Sequence, residues 1–191
     1  MSIKIRFIVT LLFILETNAA LYTLIPDDEM LLKACEGEED HFLTSIFDLS
    51  AMDFKLISDD EVIVNGYITS IVPLDKNDTL WAVAEVIKEV RGQYILPAVE
   101  IRRLDLCKDI FNPVEIWYPL TSKLDKKYHV CPFVKGAVYG VSNWSAKINN
   151  INLPDSKLSG GYRCILRAGA HGKPELNICL VFDFHLFLNK F

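Results

Sequence analysis

The sequence predicts an all-β fold, an immunoglobulin-like sandwich of two antiparallel sheets, and three observations support this class. Val, Ile, Tyr and Phe dominate eight short runs, which is the composition of strands. Turn residues such as Asp59-Asp60 and Lys76-Asn77-Asp78 separate these runs at short intervals. Hydrophobic residues make up 51% of the chain, which is enough to bury a core between two sheets. Seven or eight antiparallel strands in about 170 residues are typical of such a sandwich.

The eight predicted strands follow one another with short connections. They are Phe54–Ile57, Glu61–Val72, Thr79–Val90, Gln93–Leu104, Gly136–Val141, Ala146–Ile151, Tyr162–Ala168 and Asn177–Phe187. Arg91-Gly92 joins two strands tightly enough to form a hairpin, and Gly169–Pro174 forms the turn before the last strand. Asn65-Gly66 could be a two-residue hairpin turn, but apolar residues continue on both sides. That continuity favours a long strand with a bulge.

The segment between Cys107 and Cys131 does not read as a strand. Asn112–Glu115 resembles a helix N-cap, a first-turn proline and an N3 glutamate. We therefore predict a short helix that carries Ile116, Trp117 and Tyr118 and ends at Pro119. Its aromatic side chains would form either a small satellite core or an apolar flap over a cavity.

The start of the chain predicts a secretory signal peptide. Lys4 and Arg6 precede an apolar run from Phe7 to Leu15, and small residues follow. A membrane-spanning helix is the alternative, but the run covers about half of the roughly 20 residues that a bilayer requires. We therefore expect residues 1–19 to be removed and residues 20–191 to form a single secreted domain.

The charge balance argues against nucleic acid as a partner. Lys and Arg number 20 against 25 Asp and Glu, which gives a net charge of −5. A nucleic-acid-binding protein needs a basic stripe that releases counterions from phosphate. The high apolar content also argues against a disordered chain.

The five cysteines all follow the predicted signal peptide. They are Cys35, Cys107, Cys131, Cys164 and Cys179. In an oxidising compartment five cysteines favour two disulfides and one unpaired thiol. The C-x-x-C and H-x₃-H spacings of metal sites do not occur in the sequence, so we expect no metal and no cofactor. The triplets at Asn77 and Asn143 predict glycosylation on surface turns.

Alternation along the strands predicts which side chains share a face. In the last strand Leu180, Phe182, Phe184 and Leu186 lie on one side, and Asp183 and His185 lie on the other. In the strand from Thr79 the small residues Ala82 and Ala84 share a face, which leaves volume that a neighbour or a ligand must fill. A void costs roughly 24 cal/mol per Å³. The periodicity alone leaves a packed core and a pocket equally open.

Motifs of catalysis are missing from the sequence. The nucleophile elbow G-x-S-x-G, the zinc motif H-E-x-x-H and the phosphate-binding loop do not occur. Asp183 and His185 could mimic half of a catalytic triad, although an exposed polar strand face is the more ordinary explanation. We therefore predict that the protein is not an enzyme.

Several segments in the second half of the chain resemble a known family. Cys131-Pro132-Phe133-Val134-Lys135-Gly136 resembles the CPF-x-KG block of the ML-type lipid-recognition family, which includes the ganglioside activator and the insect chemosensory CheB-like proteins. Leu153-Pro154 and Leu158–Arg163 resemble a downstream stretch of that family. Cys35, followed by Glu36-Gly37, resembles its first cysteine, and Cys179 its final-strand cysteine. The resemblance covers roughly residues 30–187, and its specific motifs lie within residues 131–179.

This resemblance implies a β-sandwich opened into a cup that accepts lipid tails, with a short helical flap. It also implies the disulfides Cys35–Cys179 and Cys107–Cys131. Additional disulfides of the ganglioside activator's flap have no counterpart here, which implies a looser flap. Cys164 is extra, and a bond between Cys164 and Cys179 across the intervening turn is a rival for the first pairing.

The resemblance further implies a secreted, non-enzymatic carrier or presenter of a lipid, a glycolipid or a pheromone-like hydrocarbon. Its setting would be chemosensory, with a lysosomal location as the alternative, and a membrane receptor or a lipid hydrolase would receive the ligand. The candidate pocket residues are Ala82, Ala84, Trp117, Phe133, Phe182 and Phe184. The alternative is a protein-binding sandwich that acts as an extracellular receptor co-subunit, with its interior filled by its own side chains.

Overall fold

The computed structural model describes residues 20–27, 32–58, 61–115, 117–124 and 129–189. Within these ranges the chain forms ten strands, two short α-helices and two 3-10 turns. The strands are β1 (Ala20–Pro26), β2 (Lys33–Ala34), β3 (Phe47–Ser58), β4 (Glu61–Ser70), β5 (Leu80–Val90), β6 (Gln93–Arg103), β7 (Val138–Ser145), β8 (Ile148–Leu153), β9 (Gly160–Ala170) and β10 (Lys173–Leu188). The helices are α1 (Leu106–Asp109) and α2 (Tyr118–Thr121), and the 3-10 turns are Glu39–His41 and Leu43–Ser45.

The strands build two antiparallel sheets, as the sequence predicts. The large sheet has the order β6-β5-β9-β10-β1-β8, with β2 beside β10, and the small sheet has the order β3-β4-β7. All eight predicted strands are present, and four of them, β3, β7, β9 and β10, are longer than predicted. The prediction missed β1, which follows directly on the predicted signal peptide, and the two-residue β2.

The register of β5, β9 and β10 separates apolar from charged side chains in the large sheet. Ala84 lies opposite Leu166, and Leu166 lies opposite Leu180. We call the face that carries these residues the inner face. Its buried cluster comprises Ala20, Tyr22, Ala84, Tyr162, Cys164, Phe184 and Leu186. The opposite face of the same strands carries charged residues such as Glu85 and Arg163.

The small sheet also buries one face. Val62, Val64 and Ala146 form its buried cluster, and Met52 and Trp144 pack against it. The chain passes from the small sheet to the large sheet between β7 and β8, a corner of the kind that joins packed sheets. The edge strands are β3 and β7 in the small sheet and β6 and β8 in the large sheet.

Two sequence predictions about turns are confirmed. Arg91 and Gly92 both have positive φ, at 55° and 76°, as a two-residue hairpin turn requires. The β4–β7 register shifts between Val64 and Gly66, so β4 is a long strand with an irregularity at that point. Gly66 has φ 121°, and a Cβ there would collide with the carbonyl oxygen of Ala51.

The structure contains two disulfides, Cys35–Cys179 and Cys107–Cys131, and leaves Cys164 unpaired and buried. The rival bond between Cys164 and Cys179 is not formed. Cys164 lies opposite Phe182 on the inner face, whereas Cys179 lies opposite Arg167 on the other face, so the two thiols point away from each other. Burial raises the pKa of the Cys164 thiol to about 12.

Two disulfides indicate an oxidising compartment of the extracellular type. The predicted signal peptide lies outside the described residues. Among the described residues, no helix has the length and apolar character needed to cross a membrane. Asn77 is exposed in a turn, as predicted, whereas Asn143 is exposed within β7 at a positive φ of 49° rather than in a turn.

We predict that a non-reducing peptide map of the purified protein will recover Cys35 linked to Cys179 and Cys107 linked to Cys131. In the folded protein Cys164 will resist alkylation at neutral pH, because its thiol is buried and protonated. Cys164 will react with the alkylating reagent once the protein is unfolded with its two disulfides left intact. A peptide that joins Cys164 to Cys179 would contradict this pairing.

An ion pair across β9 and β10 makes stability depend on pH. Arg163 donates hydrogen bonds of 2.7 and 2.8 Å to the Asp183 carboxylate, and these bonds lower the pKa of Asp183. Because the folded state lowers this pKa, the pair stabilises the protein above the unfolded-state pKa. Its contribution is lost as the pH falls through the folded-state pKa.

Asp183→Asn should therefore lower the free energy of unfolding at pH 7 by roughly 1.5–3 kcal/mol, the range for hydrogen bonds to charged groups. The difference from wild type should shrink toward zero in strongly acidic buffer. Urea unfolding at neutral and acidic pH measures both effects. Glu36→Gln, at an exposed position, is the control. An equal loss at both pH values would mean that the substitution acts through packing instead.

Candidate functional site

The inner face of the large sheet is apolar but only partly covered. Val86, Ile101, Leu166 and Phe182 pack against the buried cluster and are themselves half-buried. Ile101, Val86, Leu166 and Phe182 lie on the four neighbouring strands β6, β5, β9 and β10, in that order. The middle of this face therefore presents apolar surface that water reaches.

Four of the six predicted pocket residues share this inner face. Ala82 and Ala84 retain 3% of their surface exposed and Phe184 retains 5%, so neighbouring side chains already cover them. Phe182 is half-buried, and its ring centroid lies 5.7 Å from that of Phe184. Of the four, Phe182 is the side chain with accessible surface to offer a ligand.

The other two predicted pocket residues lie outside the strands of the large sheet, although Trp117 is near Arg103, which lies opposite Ala82 on the inner face. Trp117 precedes α2, and its indole Nε1 donates to the carbonyl oxygen of Asp109 at 3.3 Å. Phe133 precedes β7 and makes edge-to-face contacts with Phe47 and Tyr139, with ring centroids 5.4 and 5.5 Å apart. The role of the six residues in binding stays a prediction.

The segment between β6 and β7, which we call the flap, differs in detail from the sequence prediction. The bounds of the predicted helix are wrong, because Asn112–Glu115 forms a turn and the helix that contains Tyr118 is α2, which continues past Pro119. Pro119 lies within the first turn of α2, where a missing N–H removes no helical hydrogen bond. Ile116 lies outside the described residues.

Arg103, the last residue of β6, anchors the flap to the large sheet. Its guanidinium donates to both carboxylate oxygens of Glu115 at 2.9 Å, and the Glu115 side chain is 7% exposed. The same guanidinium lies 3.6 Å from the Asp109 carboxylate and 5.7 Å from the Trp117 ring centroid. Glu115 therefore acts as a buried partner for Arg103 rather than as the N3 residue of a helix.

The uncovered apolar surface extends to the edge strands of both sheets. Phe54 and Leu56 of β3 lie opposite the buried Val64 and Val62, yet they are 52% and 46% exposed. Val99 of β6 lies opposite Val86 on the inner face and is 66% exposed. Sequence reasoning missed Phe54 and Leu56, although their alternation with Asp53 and Lys55 carries the signal.

Two of the hollows that described residues line include none of the six predicted pocket residues in their lining, although Phe47 beside Phe133 lines one and Arg103 beside Trp117 lines the other. The larger, about 630 Å³, is lined by Thr44, Phe47, Asp48, Leu49, Ser50 and Ile71. The smaller, about 320 Å³, is lined by Trp81, Val83, Arg102, Arg103, Leu104 and His171. Trp81 and Val83 alternate with Ala82 and Ala84, so the smaller hollow opens on the opposite face of β5.

Asp183 and His185 each contact a different partner. Asp183 accepts hydrogen bonds from Arg163, and His185 Nδ1 lies 2.6 Å from Asp27 Oδ1. These pairs lie on the charged face of the large sheet, which is the ordinary place for such residues.

No protein-family model and no curated protein matches this chain. The resemblance to the ML-type lipid-recognition family therefore rests on the sequence segments described above.

We predict that Glu115→Gln will loosen the flap, because Arg103 loses a buried, charge-assisted partner. The cost should be roughly 1–3 kcal/mol. Hydrogen exchange should become faster at the amides of residues 106–124, while the amides of β9 and β10 keep their wild-type rates.

Glu100→Gln is the matched control, because the Glu100–Arg102 pair has exposed side chains, at 46% and 57%, and exposed pairs contribute little. Equal exchange rates in the two variants would mean that Arg103 does not anchor the flap.

Proposed function

We propose that this protein is a non-enzymatic carrier or presenter of a hydrophobic ligand, such as a lipid, a glycolipid or a long-chain hydrocarbon, held between its two sheets. The observation that carries the proposal is the accessible apolar surface on the inner face, centred on Leu166 and Phe182. A soluble protein rarely leaves contiguous apolar surface uncovered unless something binds there.

The division of the core supports the proposal. One cluster of buried residues lies in the large sheet and a separate cluster lies in the small sheet. Two sheets that pack tightly face to face usually share one contiguous core. A ligand chain between the two clusters would supply contacts that the side chains themselves do not make.

Burial of an alkyl chain supplies the binding energy that this role needs. Each CH₂ group moved out of water contributes roughly 0.8 kcal/mol, so about ten carbons contribute roughly 8 kcal/mol. That gross energy corresponds to micromolar affinity before the cost of association is subtracted. Longer chains, as in lipids and cuticular hydrocarbons, would bind more tightly.

The resemblance to the ML-type lipid-recognition family supports the same role and the finer fold. In that family the sandwich opens as a cup, and Cys35–Cys179 and Cys107–Cys131 occupy the positions that the resemblance implies. The chemosensory members suggest a secreted carrier of pheromone-like compounds that passes its ligand to a membrane receptor. The lysosomal members suggest delivery of a lipid to a hydrolase.

Mass spectrometry of organic extracts from the purified protein, together with titration of a fluorescent fatty acid, tests the proposal. We expect a co-purified lipid-like compound and saturable binding. Phe182→Asn should weaken binding of the probe by about tenfold or more, since burial of an aromatic side chain contributes roughly 1.5–3 kcal/mol.

Val181→Asn is the matched control, because Val181 is the half-buried neighbour of Phe182 on the opposite face of β10. Circular dichroism confirms that both variants fold. Clean extracts without saturable binding would overturn the carrier role, and equal losses in the two variants would place the probe elsewhere.

A receptor co-subunit is the second candidate. Ala82, Ala84 and Phe184 are covered by their neighbours, as expected if the interior is filled by the protein's own side chains. Clean extracts combined with specific capture of one membrane receptor would favour this alternative.

A further inference from the structure

Strand β3 is an unpaired sheet edge. It lies at the end of the small sheet order β3-β4-β7, and no described strand pairs with its free side. Every residue from Asp53 to Ser58 is exposed, including Phe54 at 52% and Ile57 at 53%. A row of free backbone donors and acceptors beside apolar side chains is a template for a further strand.

The corresponding edge of the large sheet is protected, whereas β3 is not. Strand β6 contains Pro97, which has no N–H to donate, and the charged residues Glu100 and Arg102. Proline and charge are the usual devices that block pairing at an edge. In β3 the residues 49–58 include no proline, and their only charges are Asp53 and Lys55.

These two charges make β3 complementary to itself. In an antiparallel pair centred on Phe54, Asp53 of each copy lies opposite Lys55 of the other copy. Phe54 then faces Phe54 of the second copy, and Met52 faces Leu56. Opposite charges and apolar pairs at facing positions both stabilise antiparallel strands.

Other registers are less favourable. Centring the pair on Asp53 or on Lys55 places like charges opposite each other, which is destabilising. If one β3 strand is shifted by one residue relative to the other, the apolar side chains of one copy share a face with the charged side chains of the other. The β3–β4 register runs without interruption from Ala51 to Leu56, so the backbone over this window is regular. Neither Asp53 nor Lys55 has an ion-pair partner among the described residues.

We propose that β3 pairs with β3 of a second copy of this chain, around a two-fold axis at Phe54, and so joins two small sheets into one sheet. The inference does not depend on the proposed ligand. Met52, Phe54 and Leu56 lie on one face of β3 with the buried side chains of β4, so pairing extends the apolar face of one copy into the other.

Analytical ultracentrifugation of the purified full-length protein tests the association through charge reversal. The wild type should form dimers as its concentration rises. Asp53→Lys and Lys55→Asp should each weaken dimerisation by about tenfold or more, since each places like charges at two facing positions. The double variant D53K/K55D restores opposite charges and should recover the wild-type dimer.

Lys135→Asp is the control, because Lys135 is exposed and lies outside β3. It should dimerise as the wild type does. A wild type that stays monomeric at every concentration overturns the proposal, and so does a dimer that the single reversals leave unchanged.

Cysteine cross-linking tests the register. Facing Cα atoms in an antiparallel pair are about 4.5–5.5 Å apart, which suits a disulfide. Phe54→Cys should therefore give a covalent dimer that reduction reverses. In Ile57→Cys the two introduced thiols would be separated by six residues along the strands, or roughly 20 Å, so no covalent dimer should form. Cross-linking of Ile57→Cys without that of Phe54→Cys would overturn the register.

Discussion

The antiparallel register of β5, β9 and β10 holds small and large apolar side chains on one face of the large sheet and charges on the other. Ala84, Leu166 and Leu180 are brought side by side by this register. The same alignment places Arg163 directly opposite Asp183 on the charged face. The proposed binding surface depends on this separation, because a shift of the register by one residue would exchange the two faces.

The irregular segments are attached at the ends and edges of this frame. The Cys35–Cys179 bond holds the segment after β2 against the charged face of β10, and Arg103 holds the flap at the end of β6 through Glu115. The β7–β8 connection joins the sheets on one side. The edge strands β3 and β6 keep apolar side chains exposed, among them Phe54, Leu56 and Val99. The proposed ligand surface and the proposed strand pairing both involve such uncovered apolar side chains.

The sequence predicts the fold class, the two-sheet arrangement and the eight main strands, because alternation and turn chemistry are local signals. It predicts a short helix in the flap but not the bounds of the flap helices or the contact that anchors the flap. Glu115 reads as a capping residue in sequence, but its partner, Arg103, is a contact that only the folded chain brings into reach. Nor does the sequence show which candidate pocket residues are accessible. Alternation predicts which side chains share a strand face, but the burial of Ala84 and the partial exposure of Phe182 depend on side chains of neighbouring strands.

If the protein carries a lipid, the bound alkyl chain lies against the inner face of the large sheet. Isotope-filtered NMR on the labelled protein with unlabelled palmitate would report contacts between the ligand's methylene protons and individual side chains. We expect contacts with Ile101, Leu166 and Phe182 on the inner face and none with Ile165 on the opposite face of β9. Contacts confined to the opposite face, or no detectable contact at saturating palmitate, would contradict the account.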